Sequence, residues 1–420
     1  MRETFDLLRH ERRARIFFLA LAQSALGTGA GYIALLLIAF ERFESPWAIS
    51  LVLVADLIPA MLLGPIFGAA ADRWSRKRCA VFADAIRVIA FGGIALVDGY
   101  AATIAFAVVA GTGTGLFTPS VLAALPSVVD EQRRVPAATS LYGAVADLGF
   151  TVGPALAAAV LAIAGPETLM WANAATFACS GLLLAPLRFG EAPAHPPDGL
   201  PDSLLAEARQ GLRATAGMRA VRIVLLASGA ALFCSGLFNI AELFFATEDL
   251  GASNAGFSVL VTCFGVGFIC GSLAGSKGGV ASLLKRRYLG GLLVMAAGLA
   301  ATGLADAYVV AIATFAIAGF GNGLILVYER LLIQHAVPDN LVGRVFGIKD
   351  ALSAWAFAIA FLAGGALVDA IGAGEVILIA GGMGLVLCGL SALALRNEWN
   401  DDGPDAAAAT DAAPAAAAGG

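Results

Sequence analysis

The sequence consists mainly of long apolar runs that are separated by short polar connections. Most runs are about 20 residues long, and a helix of that length crosses a hydrocarbon layer about 30 Å thick. The alternation of apolar and polar residues that membrane barrel strands show is absent from the sequence, so helices are predicted. Twelve spans follow, at residues 16–40, 47–71, 79–98, 101–126, 139–164, 167–187, 221–245, 254–275, 288–306, 308–334, 350–371 and 374–395. The predicted fold class is an all-α integral membrane protein with twelve transmembrane helices.

Composition excludes a soluble globular protein. Hydrophobic residues make up 59% of the 420 residues and charged residues only 14%, whereas soluble domains carry about 25% charged residues. The mean hydropathy is +0.85. The first apolar run is longer than the core of a signal peptide, so we expect it to be the first membrane helix.

Residue types that bind metals or carry out catalysis form no cluster in the sequence. The six cysteines lie within or at the ends of the spans without a CxxC pair, which is typical of small apolar packing residues. The three histidines are scattered, so no metal site and no cofactor are expected. The sequence also lacks a phosphate-binding loop and a nucleophile motif. Neither an enzyme nor a nucleic-acid-binding protein is predicted.

Basic residues lie in alternate connections between the spans. Of the 26 lysines and arginines, 23 lie before the first span, after the last span, or in connections that follow even-numbered spans. The other connections contain only Arg42, and Arg87 and Arg330 lie within spans. Because basic residues are retained on the cytoplasmic side, both termini are predicted to be cytoplasmic.

The longest connection divides the spans six and six. It contains a proline-rich break and the stretch DSLLAEARQGLRATA, which predicts a short amphipathic helix on the membrane surface. The predicted organisation is a cytoplasmic N-terminus (1–15), an N-terminal six-helix bundle (16–187), this cytoplasmic linker (188–220), a C-terminal six-helix bundle (221–395) and a disordered cytoplasmic tail (396–420).

The two halves share glycine patterns at a common spacing. GTGTG at 111–115 returns as GFGNG at 319–323, an offset of 208 residues. Gly64 and Gly68 return as Gly271 and Gly275, and Arg134-Val135 returns as Arg344-Val345, at offsets of 207 and 210. Because glycines are common in membrane helices, each match alone is weak evidence, and the shared spacing is the stronger evidence. It predicts two parallel six-helix repeats with a substrate site between them, as in one class of transporters.

Two motifs resemble signatures of the major facilitator superfamily. GAAADRWSRK at 68–77 is similar to the superfamily's G-x-L-A-D-R-x-G-R-K loop, with Ala70 and Ser75 as departures. GFTVGPALAA at 149–158 resembles the G-x-x-x-G-P-x-x-G-G signature of its proton-coupled exporters through Gly149, Gly153 and Pro154. The stretches 117–134 and 337–352 are similar to the branch of macrolide and siderophore exporters. The resemblance implies a monomeric transporter in a bacterial plasma membrane.

The resemblance implies that the first motif forms a cytoplasmic latch between the halves. The carboxylate of Asp72 would meet the start of the eleventh span, near Lys349-Asp350. Arg76 would bind an acid after the fourth span, which is Asp130 or, failing that, Glu131. The alternative is that the basic residues only anchor the topology. The motif residues concerned are Gly68, Asp72, Arg73, Arg76, Lys77 and Asp130.

Ionisable residues within the spans are costly in hydrocarbon, so each is a functional candidate. Asp84 and Arg87, three residues apart, are an exception, because they can pair on one helix face and neutralise each other. We predict a structural role for that pair.

Four other acids are candidates for proton coupling, with Asp147 first, then Asp56, Glu242 and Glu329. Asp56 and Asp147 have no basic residue within four positions, and burial disfavours the charged form of a carboxylate. A structural hydrogen-bonding role remains an alternative. Glu242 can also face water outside the membrane, and Arg330 can neutralise Glu329.

The resemblance implies a substrate cavity lined by the first, fourth, seventh and tenth spans. Aromatic and polar residues of these spans suit a largely apolar small molecule with a few polar contacts. The candidates are Gln23, Tyr32, Phe117, Phe238, Asn239, Asn322 and Tyr328. Tyr328 and Phe238 can instead be packing or lipid-facing residues.

Three functions follow from these observations. The preferred hypothesis is a secondary active transporter that exports an amphiphilic small molecule by alternating access in exchange for protons. Its partners would be the substrate, protons and membrane lipid. The alternatives are a transporter of lysophospholipid or metabolites without proton coupling, and a membrane receptor or scaffold that does not transport.

Overall fold

The computed structural model describes residues 7–129, 131–187, 189, 215, 217–276 and 278–399, without the side chains of 64–66, 68–73, 132, 339, 340 and 343. The amphipathic helix predicted in the linker and the tail after residue 399 lie outside the described residues, as do residues 1–6.

Twelve long α-helices account for nearly all of the described chain. In order they are α1 (Arg12–Phe43), α2 (Pro46–Arg73), α3 (Arg76–Leu96), α4 (Tyr100–Val128), α5 (Val135–Leu161), α6 (Pro166–Leu184), α7 (Arg219–Phe244), α8 (Asn254–Ala274), α9 (Ala281–Gly303), α10 (Tyr308–Ala336), α11 (Asp339–Ile371) and α12 (Ala373–Ala394). A 3₁₀ turn, Gln132–Arg134, precedes α5, and a π-helical turn, Phe245–Asp249, follows α7. The described residues contain no strand, so the predicted all-α class is confirmed.

The helix boundaries agree with the predicted spans to within a few residues, except in two helices whose first turns are polar. α9 begins at Ala281 and α11 at Asp339, whereas the apolar runs predicted starts at 288 and 350. Helical hydrogen bonds continue past the apolar segment because they do not depend on hydrophobicity. Gly372 lies in the short break between the predicted spans 350–371 and 374–395 and separates α11 from α12. Its φ of 93° is a conformation that favours glycine.

Ten of the described helices are long and apolar enough to cross a membrane by length and composition. The other two are α6, which contains the polar residues Glu167 and Asn173, and α9, whose beginning carries Lys285, Arg286 and Arg287. Basic residues at a helix end lower its mean hydropathy but can extend to the membrane surface.

Contacts divide the chain into two compact units. The first contains Met1–Gly199, Ala246–Thr262 and Gly364–Asp369, and the second contains Leu200–Phe245, Cys263–Ala363 and Ala370–Gly420. In the first unit α1 packs against α5 and α6, α2 against α4, and α3 against α4 and α6. In the second unit α9 packs against α10 and α12, and α7 against α12.

The glycine repeats make the same contacts in both units. Gly111 of α4 packs on the backbone of Asp56 in α2. Gly319 of α10 packs on the backbone of Phe264 in α8, so both partners are displaced by 208 residues. A Cβ at either glycine would collide with a carbonyl oxygen. Two glycine patterns that look weak individually therefore specify the same close helix packing.

The middle glycine of each pattern faces the opposite neighbour. Gly113 lies against Ala83 and Arg87 of α3, and Gly321 lies against Gly291 and Met295 of α9, again 208 residues further on. In both α4 and α10, the outer glycines of the motif thus contact one neighbouring helix and the middle glycine contacts another. The predicted internal repeat is confirmed at the level of contacts.

Candidate functional site

A buried ion pair lies in the first unit. Asp84 and Arg87 of α3 are 1% and 4% exposed and form a salt bridge. The guanidinium carbon of Arg87 lies 3.8 Å from the ring centre of Phe117 and 4.1 Å from that of Phe177. The predicted pairing is confirmed. Its charges are compensated by each other and by two aromatic faces, which is typical of a structural pair.

Asp56 has a different environment on α2. Its residue is half-buried, and its Oδ1 atom is enclosed without a hydrogen-bond partner among the described residues. The backbone of Asp56 is held by the contact with Gly111. An enclosed carboxylate oxygen without a donor is costly when charged, so this acid remains a candidate for binding a proton.

Glu329 of α10 lies in a buried polar cluster of the second unit. It is 4% exposed, and the neighbours that act on its carboxylate include Lys349 of α11 and Ser228 of α7. The Ser228 Oγ atom lies 3.0 Å from the hydroxyl of Tyr288 in α9, which is fully buried. Three other helices therefore contribute polar groups to the cluster that contains this carboxylate, whose Oε1 atom has no hydrogen-bond partner among the described residues.

Ser228 and Tyr288 were not predicted as site residues. They lie 101 and 41 positions before Glu329 in the sequence, and no local spacing connects them to it. The only signal was a polar residue inside an apolar span, which many packing serines and tyrosines share.

The remaining candidate acids lie on other helices. Glu242 is buried near the end of α7, with 3% exposure. Asp147 is exposed on α5, and its backbone carbonyl accepts a hydrogen bond from Thr151 at 3.1 Å. Asp56 and Asp147 belong to the first unit, whereas Glu242 and Glu329 belong to the second. The described residues contain no group of three or more potential metal ligands.

The predicted latch is only partly described. The side chains of Gly68, Asp72 and Arg73 and the whole of Asp130 lie outside the described residues. Lys77 is half-buried, and the Nε atom of Arg76 is buried without a partner among the described residues. The role of this motif as a latch therefore stays a prediction.

Glu131, the second acid predicted for Arg76, forms salt bridges with Arg133 and Arg134. The hydrogen bond from Arg133 and the nearby positive charges hold the pKa of Glu131 below its usual value. Arg134 also binds the carboxylate of the buried Glu11 at 2.7 Å, which ties the start of α1 to this connection.

The glycine–proline motif of α5 packs closely on α1. Gly149, Gly153 and Pro154 are buried, and Gly29 of α1 lies directly against the backbone of both glycines. The equivalent contact in the second unit joins Gly236 of α7 to a larger residue, Ala360 of α11. The motif therefore permits a closer approach in the first unit.

Several cavity candidates make packing contacts within one unit. Gln23 donates to the backbone oxygen of Thr176 at 2.9 Å, and Phe117 covers Arg87. Phe238 is 1% exposed and packs on aromatic rings, and Tyr328 is 3% exposed. The half-buried candidates are Tyr32, Asn239 and Asn322. Their role in a cavity stays a prediction.

Arg42, the basic residue that departs from the alternation, binds the end of α3. Its guanidinium donates to the carbonyl oxygens of Ile94 (2.9 Å) and Val97. It also lies 3.8 Å from the carboxylate of Asp98 and 3.7 Å from that of Glu167. The guanidinium of Arg42 thus satisfies carbonyl oxygens at the end of α3, which accounts for a basic residue at this position.

This arrangement of helices defines a class of protein. The family model described as Major Facilitator Superfamily matches residues 16–244 and, a second time, residues 223–417. The chain belongs to the major facilitator superfamily, and it is a multi-pass membrane transporter rather than an enzyme.

Individual relatives share about a quarter of their residues with the chain. The "Multidrug efflux pump Tap" of Mycolicibacterium fortuitum is 27% identical over 378 residues, covering 85% of this chain and 89% of the relative. The pump of the same name in Mycobacterium tuberculosis strain H37Rv is 26% identical over 384 residues, covering 87% and 90%. The "Uncharacterized MFS-type transporter YfiS" of Bacillus subtilis is 25% identical over 401 residues, covering 92% and 94%.

Solved structures share the fold at lower identity. The nucleoside transporter NupG has a TM-score of 0.72 at 13% identity, covering 92% of this chain and 100% of that one. A bacterial homolog of the human lysosomal transporter Spinster has a TM-score of 0.70 at 12% identity, covering 92% and 97%. These likenesses concern the fold alone.

Proposed function

We propose that the chain exports amphiphilic small molecules such as drugs, antibiotics or siderophore-like compounds. The observation that carries this proposal is the likeness to a multidrug efflux pump over 85% of the chain. The glycine–proline motif of α5 supports the proposal, because it resembles the signature of proton-coupled exporters and its glycines pack closely on Gly29 of α1.

Export is driven by protons in this proposal. We favour Glu329 as the coupling acid, because it is buried, its Oε1 atom has no hydrogen-bond partner among the described residues, and Ser228 and Lys349 are close enough to act on its charge. A carboxylate in this environment can bind a proton on one side of the membrane and release it on the other. Asp147, Asp56 and Glu242 are the other candidates, and each can be tested in the same assay.

The remaining features form one working hypothesis. The bundles 16–187 and 221–395 alternate in opening a central cavity lined by α1, α4, α7 and α10. The residues from Gly68 to Lys77, together with Asp130, close the cytoplasmic side. The transporter is a monomer in a bacterial plasma membrane. Both termini are in the cytoplasm, because most basic residues lie in the termini and in the connections on the same side, and basic residues are retained in the cytoplasm.

The proposal is tested by expression in a bacterial host that lacks its own efflux pumps. We expect higher resistance to some members of a panel of amphiphilic compounds, and a pH gradient across proteoliposomes should drive their transport. Glu329→Gln should abolish gradient-driven transport, since a neutral amide cannot exchange a proton. Glu375→Gln, at an exposed acid of α12, is the matched control.

Two outcomes would contradict the proposal separately. Unchanged resistance to every compound, with the protein present in the membrane, would reject export. Transport that is indifferent to the pH gradient would reject proton coupling and favour the uncoupled alternative.

A further inference from the structure

A groove lies on the surface of the first unit between α2, α3 and α4. Its volume is about 640 Å³. Its lining residues are Phe67, Trp74, Ser75, Arg78, Cys79, Phe82, Ile86, Thr112 and Leu116. These described lining residues include no proton candidate and no predicted cavity residue, although Trp74 and Ser75 belong to the motif at 68–77.

One end of the groove is polar and lies at the start of α3. Arg78 and Ser75 are exposed there, and the side chain of Arg78 forms no salt bridge with any side chain that the structure describes. Trp74, at the same end, is 65% exposed. Tryptophan and arginine at the end of a membrane helix mark the level of the lipid headgroups.

The rest of the groove is apolar and follows α3 into the membrane. Phe82 is 62% exposed, and Ile86 and Leu116 continue the wall. The eight helical steps from Arg78 to Ile86 span about 12 Å. A ligand that fills the groove therefore needs a negative group at one end and an apolar chain of at least this length.

We propose that this groove binds one anionic phospholipid, with the phosphate at Arg78 and an acyl chain along Phe82, Ile86 and Leu116. Charge complementarity at Arg78 selects an anionic headgroup. The apolar wall selects a lipid over free phosphate, and the bilayer presents such molecules at this level. The inference does not depend on the proposed export.

The second unit provides matched control positions. Arg286 lies 208 residues after Arg78 and is also exposed at the start of its helix, α9. The residue 208 positions after the groove residue Thr112 is Phe320. Thr112→Phe therefore places in the groove a ring that the protein already accepts at the repeated position.

The test uses a variant in which Trp74 is the single tryptophan, reconstituted in nanodiscs. Phosphatidylglycerol with brominated acyl chains should quench Trp74 fluorescence more strongly than brominated phosphatidylethanolamine. Arg78→Gln should reduce the preference for phosphatidylglycerol about fivefold, the loss expected for one basic residue at a membrane surface. Thr112→Phe should reduce quenching by both lipids, whereas Arg286→Gln should leave it unchanged.

Other outcomes overturn the proposal. Equal quenching by the two lipids, or an unchanged preference in Arg78→Gln, would exclude an anionic lipid site. Competition by soluble glycerol phosphate would indicate a phosphate site without a lipid chain, and displacement of the brominated lipid by a transported compound would indicate a substrate site. Arg78→Lys should keep the preference, and it separates loss of charge from misfolding.

Discussion

The buried charges of Asp84 and Arg87 neutralise each other, and the internal repeat shows which residues occupy the same positions in the second unit. Asp84 and Arg87 correspond, 208 positions later, to Leu292 and Met295. The same helix position in the same fold therefore accepts either an ion pair or two apolar side chains. A buried pair is costly to break but is often replaceable by apolar residues of similar volume.

We expect Arg87→Met alone to destabilise the protein strongly, by about 3–5 kcal/mol, because Asp84 would remain buried without its partner. The double variant Asp84→Leu with Arg87→Met should recover most of that loss, since it reproduces the pair of residues found in the second unit. Thermal unfolding in detergent measures both. A double variant as unstable as the single one would show that the pair has a role beyond mutual neutralisation.

Helices α4 and α10 each use a three-glycine pattern to contact two neighbours at short range. The outer glycines face α2 or α8, and the middle glycine faces α3 or α9. The spacing of two residues turns the chain by about 200° around a helix axis, which is why alternate glycines serve opposite neighbours. Without side chains at these positions, the backbones approach closely enough for dispersion contacts along the helices.

Gly111→Ala and Gly319→Ala should each lower stability by about 1–3 kcal/mol, because the added methyl group would overlap a carbonyl oxygen of the neighbouring helix. Gly143→Ala in α5 is the control, since no atom lies within 4 Å of a Cβ at that position. The control should be neutral or slightly stabilising. Equal melting temperatures for all three variants would contradict the proposed close packing.

At the scale of the whole molecule, a membrane requires apolar helices, and the sequence places its basic residues in alternate connections, which are predicted to lie on one side. Connections at Asp98 and Asp306 belong to the side that is poor in lysine and arginine, and those at Arg133 and Ser276 belong to the other. All four residues are exposed, so each can report which side of the membrane it occupies.

Cysteines introduced at Asp98 and Asp306 should react with a membrane-impermeant maleimide in intact cells. Cysteines at Arg133 and Ser276 should react only after permeabilisation, because these connections are expected in the cytoplasm. The parent protein, with exposed Cys179 and Cys270, supplies the background. The reverse pattern would invert the proposed orientation, and a mixed pattern would contradict the alternating connections.

The sequence by itself determined the helices, the repeat and the pairing of Asp84 with Arg87. Each of these depends on local composition, on a fixed offset or on neighbours three residues apart, and such properties can be read along the chain. The starts of α9 and α11 were predicted too late, because hydropathy detects the membrane boundary and not the end of the helical hydrogen bonds.

Only the tertiary structure decided which polar groups surround a buried acid and where a groove opens on the helix surface. Ser228 of α7 and Lys349 of α11 act on the carboxylate of Glu329, and Tyr288 of α9 contacts Ser228. Phe67 of α2 and Thr112 of α4 line the same groove as Arg78 of α3. The physical reason is that these contacts depend on the rotation of each helix about its axis, which packing against its neighbours sets and hydrophobicity alone does not.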